Sequence, residues 1–235
     1  MSRRDFYVGY FARAPRDLAR WVRQVVIATA AAGFLAGVTL LLSQPAFDPS
    51  VFEFQNFQPY TGVVSLDRYP VLLGPAGPAV LFAPGKHGAE LLLSPFRGRE
   101  VTLRAQRIQN GSNLGLEVLP GSIEVLAGGR APAIAVEDLG PFHGQGEIVD
   151  SKCYSGVMNP GRGKVHRDCA VRCISGGVPP ALLLRDANGN RRAILISWTD
   201  GLLDLVAERV EAEGRLLRVA GQLMLQATKI QRAPN

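Results

Sequence analysis

The sequence predicts a mainly β protein, built as two tandem OB-like small barrels or as one fused β-sandwich, carried on a single N-terminal transmembrane α-helix. Three observations predict it. An uncharged run of 18 residues, Val25 to Leu42, lies near the start of the 235-residue chain. Beyond it, short β-branched or leucine-rich runs alternate with Gly, Pro and Asn. Parts of that pattern recur at an offset of 109 residues.

Residues 1–23 form a tail carrying Arg3, Arg4, Arg13, Arg16, Arg20 and Arg23 against Asp5 and Asp17. The other flank of the apolar run has only Asp48 and Glu53. Positive flanks stay on the cytoplasmic side, so the tail is expected in the cytoplasm and the rest of the chain outside it. Much of the net charge of +6 is then a topology signal, and no nucleic-acid partner is expected. Phe6, Tyr7, Tyr10 and Phe11 exceed what orientation requires. They read either as an interfacial segment or as a dock for a larger membrane protein.

Residues 24–43 are the expected membrane helix. Eighteen residues at ~1.5 Å rise cover about 27 Å, close to the hydrocarbon thickness of a bilayer. A cleaved signal has a shorter apolar region and a small-x-small site, which "LLLSQPAF" lacks, so an uncleaved anchor is expected. Gly33 and Gly37 stand in G-x₃-G spacing, which admits a second helix at close range.

A Pro- and Phe-rich linker (44–59) leads to a first barrel-like unit (60–130). Its strand-length runs are "TGVVSLD", "YPVLLG", "PAVLFAPG", "AELLLS", "REVTLRAQRI" and "LGLEVL". Asn110-Gly111 between two of them is a hairpin signal, since both residues tolerate positive φ. The second unit (140–232) offers "GQGEIVD", "PALLLRD", "NRRAILIS", "ERVEAEGRLLRV" and "QLMLQATKI", with turns at "DANGN" and "VAGQ". The helix candidate is "DGLLDLVAE" (200–208). The offset of 109 pairs Val101 with Val210, Ala105 with Gly214, Ile108 with Leu217, Leu114 with Leu223 and Leu116 with Leu225. About five short strands per copy suit a Greek-key barrel of OB type.

The second copy carries an insertion (151–178) that holds every cysteine: Cys153, Cys169 and Cys173. In an oxidising compartment the default is one disulfide and a spare thiol. If "HRDCAVRC" is helical, His166, Cys169 and Cys173 share a face. Three cysteines with one histidine suit tetrahedral zinc, and thiolates with imidazole and the thioether of Met158 suit Cu(I). The C-x₃-C spacing resembles that of exported copper-delivery proteins and of the dinuclear copper domain of terminal oxidases. Thiol redox chemistry would favour a C-x₂-C pair, which is absent. "NPGRGK" lacks the Ser/Thr of a phosphate-binding loop, so Arg162 and Lys164, with Arg167 and Arg172, read as a basic knob for an acidic partner or lipid phosphates. No nucleophile elbow or paired catalytic carboxylates occur, so neither enzymatic activity nor a small-molecule substrate is expected. His87 stands in a turn of the first copy that can approach the insertion.

The pattern "VDSKCY.G.MNPG.GK.HR.CA..C..GG.PP" resembles that of uncharacterised membrane-anchored bacterial proteins, and the likeness covers the tail, the anchor and the second half. The resemblance implies a single-pass inner-membrane protein with a β-rich periplasmic region, found beside membrane electron-transfer components. Three readings follow. One is a non-catalytic accessory subunit of a respiratory or photosynthetic membrane complex, with no cofactor. Another is an exported copper- or zinc-binding protein using Cys169, Cys173 and His166. The third is an exported thiol oxidoreductase.

Overall fold

The computed structural model describes residues 14–44, 49–130, 135–197 and 201–234. Phe6, Tyr7, Tyr10 and Phe11 lie outside them. The chain divides into two units, Met1–Ala46 and Phe47–Asn235.

Among its described residues the first unit holds one helix, α1 (Arg16–Ser43), eight residues longer at its start than the expected span. Pro15 sets its start, because a fixed φ and a missing N–H suit a helix entrance, and Asp17 faces the positive end of the helix dipole. Its most apolar 18-residue stretch has a mean hydropathy of 2.3, and the helix is long and apolar enough to cross a membrane. No residue of α1 is buried by the chain itself. Two of its hydroxyls bond within the helix, Thr39 Oγ1 to Leu35 O (2.8 Å) and Ser43 Oγ to Leu40 O (2.9 Å), as suits an apolar medium.

The second unit is mainly β and contains two small closed barrels. Part of the expected linker is already strand: β1 (Ser50–Phe52) pairs with the far end of β5. The first barrel joins β2 (Gln58–Ser65), β3 (Val71–Gly74), β4 (Gly77–Phe82), β5 (Arg99–Asn110) and β6 (Asn113–Val118). Four of its pairings are antiparallel: β2 with β3, β3 with β4, β5 with β6, and β5 with β2. The closing pair, β4 with β6, is parallel. A short helix α2 (Glu90–Leu93) and a 3₁₀ turn bridge β4 and β5. A further strand, β7 (Glu124–Arg130), pairs with β5.

The second barrel repeats this order with β8 (Val136–Asp150), β9 (Pro180–Arg185), β10 (Arg191–Ile196), β11 (Arg209–Val219) and β12 (Gln222–Arg232). Again the closing pair, β10 with β12, is parallel. This is the strand order expected of OB-type barrels. The positions matched at the 109-residue offset are packed alike. Val101 and Leu116 fill the first interior, Val210 and Leu225 the second, and Ile108 and Leu217 both face the layer between the barrels.

Period-two alternation builds that layer. On β4, Ala79 and Leu81 point into the barrel while Val80 and Phe82 point out. On β9, Leu182 points in while Ala181 and Leu183 point out. The outward sets meet, together with Leu195, Val219 and Met224, in one core between the barrels.

Two expectations change. "AELLLS" is helical rather than a strand, because Ala89 and Leu93, four apart, cap the first barrel's interior with no exposed surface. "DGLLDLVAE" gives only a 3₁₀ turn, Leu202–Leu205, since Val206 is extended and Ala207 has φ +60°.

Candidate metal centre

The insertion leaves the second barrel where β8 ends at Asp150, and its first residues turn inward. Ser151, Lys152, Cys153 and Tyr154 are all buried. Asp150 starts the turn: its Oδ1 accepts from the Cys153 N–H at 2.7 Å, three residues on. A π-turn (Cys153–Val157) follows, then a 3₁₀ turn (Lys164–His166) that runs into α3 (Arg167–Ser175). On α3, Cys169 and Cys173 stand one turn apart, and His166 immediately precedes the helix.

The donors converge on Cys153. The ligand atoms of Cys153, His166 and Cys169 lie within 4.8 Å of one another, as do those of Asp150, Cys153 and Cys173. Cys153 Sγ is 3.9 Å from Cys173 Sγ. All three thiols are free. The disulfide favoured by the sequence is not formed, as bonded sulfurs sit at about 2.05 Å. Two thiolates on a tetrahedral zinc at about 2.3 Å are separated by roughly 3.8 Å, which is close to the spacing here.

The second layer is equally ordered. Asp150 Oδ2 lies 3.0 Å from His166 Nε2, with both residues buried. A carboxylate only accepts, so Nε2 is the donor in this contact, and in a neutral imidazole the lone pair is then on Nδ1. The Cys153 thiol is pushed far up by its hydrogen bond to Cys173 and then by burial. The same bond holds Cys173 below the usual thiol range. Of the two, Cys173 is the one that ionises first. Lys86, from the turn after β4, donates to Cys169 Sγ at 3.3 Å, and that bond raises the lysine pKa.

Not every expected donor joins. Met158 follows the π-turn in extended conformation and is 46% exposed. His87 is exposed and stays outside the donor groups, although its neighbour Lys86 reaches the site. Lys164 pairs with Glu208 and draws that carboxyl below its usual range, so this part of the basic knob is already engaged within the chain. Gly33 and Gly37 on α1 have open space where a Cβ would stand.

Sequence reasoning missed four residues. Asp150 had a local signal, an acceptor three residues before Cys153. Lys86 had none, being 83 residues from the cysteine it touches. Lys152 and Glu117 form a buried ion pair between the barrels, with the Lys152 Nζ also donating to Ala83 O and Gly85 O at 2.7 Å each.

The arrangement suits capture of a soft d¹⁰ ion by thiolates and an oriented imidazole. It suits thiol exchange less, because Cys153 and Cys173 are 4% and 1% exposed and only Cys169 is open to an attacking thiol. No family model, curated protein or solved structure matches this chain.

Proposed function

We propose that this chain is a membrane-anchored protein that holds one thiophilic d¹⁰ ion, Zn²⁺ or Cu⁺, on Cys153, His166 and Cys169, with Cys173 as the fourth donor. The observation that carries this reading is the meeting of three free thiols and a carboxylate-oriented imidazole in two donor groups that share Cys153. Binding an ion would deprotonate these thiols and offset the repulsion between the resulting thiolates. The anchor argument adds the setting: tail in the cytoplasm, β region on the periplasmic face of a bacterial inner membrane.

Elemental analysis of the reduced, full-length protein in detergent, loaded separately with Zn²⁺ and Cu⁺, tests it. One tightly held ion per chain is expected, lost in Cys153→Ser and retained in Met158→Leu. A wild-type protein that keeps no stoichiometric ion sinks the reading.

A second reading concerns company rather than chemistry. No residue of helix α1 is buried, and Gly33 and Gly37, one turn apart, have open space where a Cβ would stand. Both features suit a non-catalytic accessory subunit of a membrane electron-transfer complex, seated through this helix on an integral membrane partner.

A further inference from the structure

We propose that the ion enters and leaves this site past Cys169, and that Lys86, delivered by the first barrel, is the latch that sets the exchange rate. The proposal rests on the metal-binding reading above and concerns its regulation. Burial grades the donors. Cys153, His166 and Cys173 are 4%, 3% and 1% exposed, whereas Cys169 is half-buried. A chelator or an acceptor protein therefore meets Cys169 before any other donor.

Lys86 stands over that sulfur. An ammonium has donors and no acceptor, so Cys169 receives the bond, at 3.3 Å. A donor of this kind withdraws electron density from a thiolate and shields it from attack. It also offsets charge: three thiolates around Zn²⁺ leave about one negative charge on the complex, and around Cu⁺ about two.

The lysine is held in place from both sides. Before it, Lys152 grips Ala83 O and Gly85 O, each at 2.7 Å. After it, the Gly88 N–H donates to Gly176 O at 2.9 Å. A Cβ on Gly176 would come within 2.0 Å of Lys86 O, and one on Gly88 within 2.1 Å of Gly177 O. The two segments can approach this closely because both positions are glycine. The first barrel thus clamps its turn against the insertion and aims one cation at the exposed sulfur.

The test measures Zn²⁺ transfer from the loaded, full-length protein to a colorimetric chelator. Lys86→Met is expected to transfer about tenfold faster, the scale of one hydrogen bond to a charged group. Lys86→Arg, which keeps a cationic donor, should remain near the wild-type rate, and so should His87→Ala. Alkylation of Cys169 in the loaded protein, located by peptide mass, should accelerate in Lys86→Met alone. A Lys86→Met protein with full metal content and an unchanged or slower transfer rate overturns the latch and leaves the metal site standing. Equal acceleration in His87→Ala overturns it too, since the effect would then belong to the turn and not to the cation. A wild-type protein that binds no Zn²⁺ overturns the metal reading, and the latch falls with it.

Discussion

Cys153 and Cys173 share a hydrogen bond that moves their pKa values in opposite directions, so Cys173 ionises first and Cys153 keeps its proton. This division of labour is testable in the metal-free protein. Removing the donor with Cys153→Ala should raise the Cys173 midpoint, which ultraviolet thiolate absorbance against pH would read. An unchanged midpoint would mean that the Cys169 hydrogen bond and the Lys86 charge, rather than Cys153, hold Cys173 low. The gathering of Cys153, His166, Cys169 and Cys173 was legible in the sequence because they lie in one short segment, although the structure joins them through Cys153 and not through the helical spacing of His166, Cys169 and Cys173. Nearness along the chain does not fix side-chain direction across a π-turn, and Met158 is 46% exposed. Lys86 had no local signal, because only the docking of one barrel on the other brings it in.

The strands were the most legible elements. Asn110-Gly111, "DANGN" and "VAGQ" each sit at an antiparallel hairpin in the structure, as the backbone demands of those turns require. "AELLLS" was not decidable locally, since leucine suits either state. Capping the first barrel decided it. A buried tie between elements is the Lys152–Glu117 pair, which joins the start of the insertion to β6. Gln106 Nε2 donates to the same carboxylate, so Glu117 is fully committed. Lys152→Met should cost about 3–5 kcal/mol, because it strands a buried carboxylate. Chemical denaturation checks this, and adding Glu117→Gln should restore part of the loss. A Lys152→Met protein as stable as the wild type would mean that water reaches Glu117. The strand 2–3 face that OB-type barrels use for oligonucleotides is covered here, Val80 and Phe82 packing near Ala181, Leu183 and Leu195.

For the molecule as a whole, the apolar helix is its own unit, and length and hydropathy alone made a helix able to cross a membrane legible. Replacing Gly33 and Gly37 together with Leu should leave membrane insertion intact, because apolarity is preserved. The same change should release the protein from any complex with which it co-purifies in mild detergent, as read by native electrophoresis and mass spectrometry. Co-migration at unchanged stoichiometry would put the attachment on the β region instead.

The order in which these parts leave the ribosome gives the clasp between the barrels a further meaning. Every strand of the first barrel, from Gln58 to Val118, precedes Cys153 in the chain. Glu117, Ala83 O, Gly85 O and Lys86 are thus synthesised before the first thiol. A nascent chain that folds from its N-terminal side presents a finished receptor to the insertion as it emerges. Lys152 comes one residue ahead of Cys153, so the lysine can dock just as the first sulfur appears. Vectorial synthesis then shortens the interval in which three reduced cysteines stand unprotected against mispairing.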